Sequence, residues 1–372
     1  MRIIMTYHYS LQTPGGGTVG LLQIAQHLYE LGVQVILVPV RQSKVPSDLP
    51  VAVRHAKPSK LHSVLDSIGV FRVVRELIYK YDVSSVIGWW HEVAFLPDFL
   101  RHAGIPFGMI AAFPSYRNWF SRKKSLGYTI VDWWFRKRPL LLANMVFALS
   151  EFTKKELTCL LGLSDNRVKV AYWGVNPNFF TISRTQEQTI ERLLFFGSLS
   201  PHKGIFDLLH ALALLPADLN WQLRVAGWGG EKAVLALART LSLDSKLRLL
   251  GTLDHRGLRQ ELEYAQMAVL PSHYESFGLA IAEAQAAGLP VISCKTSAIP
   301  EVVENGRTGL LVLPGDIPAL SNAILSLIRA PQRAYEMGLA GRERVQKLFS
   351  WKRTAQIILD TIASEHQNRC VV

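Results

Sequence analysis

Apolar residues follow two rhythms along the chain, and the two alternate. "RIIMTYHY" opens as a run of strand length, and "GLLQIAQHLYEL" follows with Leu21, Ile24, Leu28 and Leu31 at helical spacing. Gly32 stands where that helix should stop, because a residue without a Cβ enters the left-handed turn at low cost. "VQVILVPV" returns as a buried strand, and further strands are expected at "SSVIGWW", "IPFGMIAAF" and "NMVFALS". Helical segments lie between most of them, as parallel strands require, since no tight turn can join parallel neighbours. Ser150 is the expected N-cap of "EFTKKELTCLLG".

The stretch "NPNFFTISRTQEQ", residues 176 to 188, has no period and reads as a linker. The alternation then begins again with strand "RLLFFG", helix "IFDLLHALALL", strand "WQLRVAG", helix "EKAVLALARTL" and strand "KLRLLG". Helix "RGLRQELEYA", strand "MAVL", helix "GLAIAEAQAAG" and strands "PVIS" and "GLLVL" complete the series, and the tail from "IPALSNAILSLIRA" is helical. Two such series predict an α/β protein of two doubly wound, Rossmann-like domains facing a central cleft. Their ligands would lie beyond the carboxyl ends of the strands. The expected boundaries are 1–178, 179–350, and a closing helix over 351–372 that crosses back to the first domain.

A length of 372 residues suits two cores, and 49% hydrophobic against 19% charged residues describes a folded chain. The apolar runs are strand-sized or carry charges, so no membrane span is expected, and "MRIIMTYHYS" turns polar too early for a signal peptide. Cys159, Cys294 and Cys370 have neither metal-ligand spacing nor a disulfide pattern. A cytoplasmic enzyme fits. The net charge of +12 favours anionic partners, and it is concentrated. Residues 117 to 138, "RNWFSRKKSLGYTIVDWWFRKR", hold seven Arg or Lys against one Asp, interleaved with five Trp or Phe.

The chemistry gathers in "PSHYESFGLAIAEAQAAGLPVIS", residues 271 to 293, where Glu275 and Glu283 interrupt an apolar run. Glu275 should lie in the loop after strand "MAVL". A helix starting near Phe277 and Gly278 would put Glu283 roughly two turns in. The unpaired N–H groups of that helix start would face the space beside Glu275, a geometry that binds anions. A carboxylate beside it suits hydroxyl groups. Polyhydroxylated and phosphorylated together describe a sugar nucleotide. The plainer reading is that Glu275 caps the helix and Glu283 faces solvent.

With "FFGSLSPHKGIFDLLHAL", "LRLLGTLDHRGLRQELEYAQMAVL" and "SAIPEVVENGRTGLLVLPGD", this stretch resembles the family-4 retaining glycosyltransferases, of GT-B fold, with their glutamate, seven residues, glutamate signature. "GGGTVGLLQIAQHLYELGVQV" and "VKVAYWGVNPNFF" extend the resemblance into the first half. It implies that Glu275 meets the donor sugar's hydroxyls, with the backbone N–H groups of Ser276, Phe277 and Gly278 near sugar and phosphate. It implies that Glu283 holds the ribose and that Lys203 neutralises the diphosphate. The family usually carries an arginine after Gly197; Ser198 stands here among the donor-binding residues, so one of two phosphate cations is missing. The implied activity is transfer of a hexosyl group from a UDP-, GDP- or ADP-sugar to a hydroxyl acceptor, such as a glycolipid or polysaccharide precursor. In the family picture no protein nucleophile is required.

"TPGGGTVG" has two readings. Gly15, Gly17 and Gly20 match G-x-G-x-x-G, a nicotinamide dinucleotide fingerprint, but "SLQTP" separates them from the first strand and Arg41 stands where an acidic residue is expected. In the transferase reading Gly15 and Gly16 let the backbone approach donor and acceptor. His91, in "GWWHEVAF", would face the cleft as a catalytic candidate or serve as an interior structural histidine. The family often has a histidine after the next strand, where this chain has Ala112 and Phe113. No Asp-x-Asp occurs, so no metal and no cofactor are expected. The basic aromatic stretch at 117–138 suits either an inward-packed acceptor-side segment or a surface resting on anionic lipid. Nothing else resembles a nucleic-acid module, and no nucleic-acid partner is expected. A sugar-nucleotide epimerase or hydrolase of the same fold remains the alternative chemistry.

Overall fold

The computed structural model describes all residues except 9–10, 12–14, 42–48, 57–62, 90, 113–131, 187 and 371–372, and the side chains of 63–65, 91 and 368–370. The chain forms two compact units, Met1–Gly174 with Trp351–Val372, and Val175–Ser350.

The first unit runs β1 (Arg2–Tyr7), α1 (Gly16–Glu30), β2 (Gln34–Pro39), β3 (Ala52–Val53), α2 (Ser63–Lys80), β4 (Ser85–Gly88), α3 (Leu96–His102), β5 (Phe107–Ala111), α4 (Arg138–Leu142), β6 (Met145–Ala148), α5 (Glu151–Leu161) and β7 (Val168–Val170). Its seven strands are parallel in the order β3-β2-β1-β4-β5-β6-β7. The chain lays strands outward on one side of β1, then restarts with β4 on the other. Ile3, Ile4, Met5, Val86, Ile87 and Phe147 are fully buried. Strands covered on both faces explain why these segments read as unbroken apolar runs. Ser150 does cap α5: its Oγ accepts the Thr153 N–H at 3.0 Å. Gly32, at φ 82°, lies just beyond the end of α1.

The second unit repeats the plan with β8 (Arg192–Ser198), α6 (Ile205–Ala213), β9 (Gln222–Trp228), α7 (Glu231–Thr240), β10 (Leu247–Gly251), α8 (His255–Tyr264), β11 (Met267–Leu270), α9 (Leu279–Ala286), β12 (Val291–Cys294), α10 (Ile299–Val302), β13 (Gly309–Val312), α11 (Ile317–Ile328) and α12 (Pro331–Leu348). The strand order is β10-β9-β8-β11-β12-β13, again all parallel. Residues 176–188, read from sequence as a linker, belong to this unit, with Phe179 and Ile182 in its core. The last helix, α13 (Trp351–Cys370), belongs to the first unit. Its Trp351 ring lies 5.9 Å from that of Trp173, and its His366 Nε2 lies 2.6 Å from the Ser84 carbonyl oxygen.

One expectation needs correcting. α9 begins at Leu279, because Gly278 takes the left-handed conformation at φ 96° and ends the loop there. Glu283 is therefore its fifth residue, just over one turn in rather than two.

Contact between α12 and the end of α9 rests on missing side chains. A Cβ added at Gly338 would lie 2.2 Å from the Gly288 carbonyl oxygen and 2.9 Å from its carbon, both backbone atoms that no rotamer change can move. Gly338→Ala gains up to about 1 kcal/mol of helix propensity but incurs an overpacking cost of about 1–3 kcal/mol. The variant should lose about 1–2 kcal/mol and melt about 2–8 °C lower in a circular dichroism scan; an unchanged or raised midpoint would show that the helices separate freely.

Candidate active site

In each sheet the strand order reverses at one place, between β1 and β4 and between β8 and β11. Loops leaving two strands at such a point diverge and open a crevice at their carboxyl ends. In the second unit that crevice collects the residues singled out above.

β8 ends at Ser198, and a single 3₁₀ turn, Pro201–Lys203, follows. Gly204 closes the turn at φ 74°, and a Cβ there would sit 2.0 Å from the Pro271 carbonyl oxygen. The lysine turn thus lies directly on the loop leaving β11. Across that contact Lys203 Nζ meets Glu275 Oε1 at 2.6 Å, with the two side chains 25% and 12% exposed. The Glu275 backbone is held on its other flank: its N–H donates to Ser297 Oγ at 2.9 Å, and its carbonyl accepts the Ala298 N–H at 3.3 Å. Ser297 itself is left-handed at φ 47°, which is rare for a residue with a Cβ.

α9 starts immediately after this loop. No side chain caps it and its first turn holds no acidic residue, so the positive end of its dipole is not neutralised by its own sequence. Phe277 fixes the approach from below, buried edge-to-face on Phe349 with centroids 5.0 Å apart. Glu283 is buried in the same helix, and burial pushes its carboxyl from the ordinary 4.5 up to about 8. At the other end, the Ala286 and Ala287 carbonyls accept hydrogen bonds from Arg342, and Ala287 from Arg184 as well. Two guanidinium groups therefore complement the negative end of α9, the arrangement its dipole favours.

Ser198, where the family places an arginine, bonds instead to the Ser200 hydroxyl at 2.8 Å. Sequence reading also passed over three side chains that shape the site: Ser297, His273 and Asp207. The bonds of Ser297 to Glu275 and of His273 Nε2 to Asp207 Oδ2, the latter 2.6 Å long, join residues 22 and 66 positions apart. Local pattern cannot find such pairs.

The first unit places its candidates at the corresponding reversal. Gly15 is the N-cap of α1, at φ 140°, and Gly16 is the first helical residue; that first turn carries no acidic residue and no side-chain cap. α1 starts nine residues after β1 ends at Tyr7, not in the immediate turn that a dinucleotide fingerprint makes. His91 opens a 3₁₀ turn just after β4, and its side chain lies outside the described residues, as does Phe113. Glu92 beside it is fully buried, its Oε1 accepting from Thr6 Oγ1 and from the Trp89 N–H, each at 3.1 Å. It joins β1 to the loop after β4, and the sequence alone did not single it out.

Of the basic aromatic stretch, residues 117–131 lie outside the described residues. In the remainder, Trp133–Lys137 wind as a π-helix into α4. Trp133 and Trp134 are exposed, with ring centroids 5.9 Å apart, whereas Phe135 is buried. The inward-packed reading therefore fails for these two tryptophans. Among the described residues, no helix is long and apolar enough to cross a membrane.

Comparison with known proteins supplies the frame for this geometry. The model "Glycosyl transferases group 1" matches residues 181–344, and "Glycosyltransferase Family 4" matches residues 14–179. Glycogen synthase of Mycobacterium tuberculosis is 30% identical over 259 residues, 68% of this chain; the match spans 62% of that protein's length. Sucrose-phosphate synthase of Thermosynechococcus elongatus superposes with a TM-score of 0.85 at 21% identity, over 99% of this chain and 100% of that one. Anabaena HepE, solved in complex with UDP and glucose, superposes with a TM-score of 0.78 at 20% identity, over 97% and 99%. The fold is GT-B. The chain belongs to the group 1 glycosyltransferases of family 4.

Proposed function

We propose that the protein is a retaining, metal-independent glycosyltransferase that moves a hexosyl group from a nucleotide sugar to a hydroxyl acceptor. The observation that carries this reading is the Lys203–Glu275 pair at the uncapped start of α9. It offers a cation and a helix dipole for a diphosphate, and an acid for sugar hydroxyls, within one crevice. The glycogen synthase match and the HepE complex with UDP and glucose support a nucleotide-sugar donor.

In the reaction, the bond from the anomeric carbon to the diphosphate breaks and a bond to the acceptor oxygen forms on the same face. Charge accumulates on the departing diphosphate, which takes the acceptor's proton. Lys203 leaves Glu275 to neutralise that charge, together with the N–H groups that open α9. Preorganised donors of this kind are usually the largest contribution to rate. Glu275, freed from the lysine, accepts hydrogen bonds from the donor's hydroxyls, with Ser276, Phe277 and Gly278 lining the same turn. Glu283 holds the ribose hydroxyls, Gly15 and Gly16 let the backbone approach donor and acceptor, and His91 is the first unit's catalytic candidate. The helix start and Lys203 perform the electrostatic work that a divalent ion performs elsewhere.

The exposed pair Trp133 and Trp134, with the Arg138 guanidinium 4.5 Å over the Trp134 ring, suits the headgroup layer of an anionic bilayer. We read the enzyme as cytoplasmic and resting on such a surface, with a lipid-linked or polysaccharide acceptor.

Lys203→Ala and Glu275→Ala should each lower turnover about 100-fold, as removal of an electrostatic group does. They would be assayed with the UDP-, GDP- or ADP-sugar that most raises the melting temperature, and EDTA should leave the wild-type rate unchanged. Normal kinetics in both variants, or EDTA inhibition reversed by magnesium, would refute the corresponding part.

The raised Glu283 carboxyl sets a pH dependence. Below 4.5 folded and unfolded chains both hold its proton; between 4.5 and about 8 only the folded chain does. Its contribution to stability is therefore complete at low pH and is lost as pH rises to about 8. Glu283→Gln should melt higher than wild type at pH 8–9 and nearly equal to it at pH 5, while binding nucleoside diphosphate about tenfold more weakly in calorimetry. Parallel melting curves across that range would contradict the assignment.

Sedimentation with vesicles tests the surface. Binding should require acidic lipid, at about 1 kcal/mol per basic residue engaged, and should fall in a Trp133→Ala, Trp134→Ala double variant. Equal binding to neutral and acidic vesicles would count against it.

A further inference from the structure

The Lys203–Glu275 ion pair cannot persist through the reaction proposed above, because the lysine is needed by the diphosphate. When it opens, something else must keep the lysine turn and the glutamate loop in register. One side chain is placed to do so.

His273 stands two residues before Glu275 in the loop that leaves β11. Its backbone N–H donates to the His202 carbonyl at 2.8 Å, which ties the loop to the residue preceding Lys203. Its ring Nε2 lies 2.6 Å from Asp207 Oδ2, in the first turn of α6 and four residues beyond Lys203. Loop and turn are therefore closed on each other from both ends of one residue. Gly204 against the Pro271 carbonyl leaves no space between them for slippage. Asp207 is 22% exposed and His273 37%, so their bond is partly shielded from competing water. The groups around this pair are Lys203 and His202 on the turn, Glu275 on the loop, and the Cys294 thiol at the end of β12. That thiol is pushed up to about 12, by burial first and the Asp207 charge second, and so stays protonated and uncharged.

We propose that His273, held by Asp207, is the positioning residue that keeps Glu275 in place once Lys203 has turned to the donor's diphosphate. It touches neither sugar nor phosphate in this scheme. The inference rests on the transferase reading, since it assigns His273 no work if Glu275 does none. It gives the pair a specific signature: binding of the ground-state donor is little affected, whereas the transition state, reached with the ion pair open, is not held.

The test is a double-mutant cycle in His273→Ala and Asp207→Ala, with Glu275→Ala as reference. Each single variant should lower kcat about 10- to 100-fold, the range expected when a reacting group is displaced by up to an ångström, with KM for the nucleotide sugar within about threefold of wild type. The double variant should be no worse than the worse single, because the two act as one unit. His273→Gln, whose amide can still donate to Asp207, should recover to within about threefold of wild type, while Asp207→Asn, which keeps shape without charge, should not. Additive losses, a rise in KM in place of the fall in kcat, or wild-type turnover in His273→Ala beside an impaired Glu275→Ala would overturn the positioning role and leave the transferase site standing. Wild-type turnover in Glu275→Ala would overturn both.

Discussion

Adjacency of β8 and β11 is the constraint from which the site follows. Their loops belong to residues more than seventy positions apart, yet the strands pair directly, Met267 beside Leu193 and Ala268 beside Leu194. A parallel sheet makes every loop at its carboxyl edge leave in the same direction, and the reversal of strand order sends these two apart around a gap. Lys203 and Glu275 face each other because of that topology. No local interaction could bring a lysine and a glutamate at this separation to 2.6 Å and hold both chains in the required orientation.

Once the loops are set, α9 controls the electrostatics, and both of its ends are used. Its amino end is left without an acid or a side-chain cap. Its carboxyl end is complemented by Arg184 and Arg342, which bind carbonyls that would otherwise be unpaired. A guanidinium at a helix terminus contributes up to about 2 kcal/mol when partly buried. The consequence at the site is that the helix can present an unneutralised positive end without loss of stability at the other. Glu283, buried inside the same helix, is the counterpart cost: a carboxyl in an apolar setting that disfavours its charged form.

Much of this was legible in the chain itself. Strands buried on both faces announce themselves as unbroken apolar runs, and "RLLFFG", "MAVL" and "PVIS" fell where the sheet has β8, β11 and β12. Lys203, Glu275 and Glu283 were marked by spacing within a motif. The helix start near Gly278 was legible to within a residue or two, while the depth of Glu283 was overstated, because the exact first residue depends on the left-handed conformation of Gly278. His273, Asp207, Ser297 and Glu92 were invisible for a different reason. Each acts through a partner far away in the chain, and a hydrogen bond between residues 22, 66 or 86 positions apart leaves no period and no spacing to read.

Ser297 shows how far the site departs from local preference. A left-handed serine costs about 1 kcal/mol or more relative to glycine, and glycine would relax the backbone at once. Glycine would also remove the hydroxyl that accepts the Glu275 N–H, in a loop where that donor has no helix or strand to satisfy it. The strain and the hydrogen bond are of similar size, so the choice of serine is close to neutral for folding. It is not neutral for geometry. Ser297 holds the Glu275 N–H directly, and the loop that carries Glu275 is tied to α6 two residues earlier by the His273 ring on Asp207. At Ser297 a locally disfavoured conformation is retained where its hydroxyl holds the backbone of an acid beside an uncapped helix start, so the local rule gives way to a tertiary hydrogen bond.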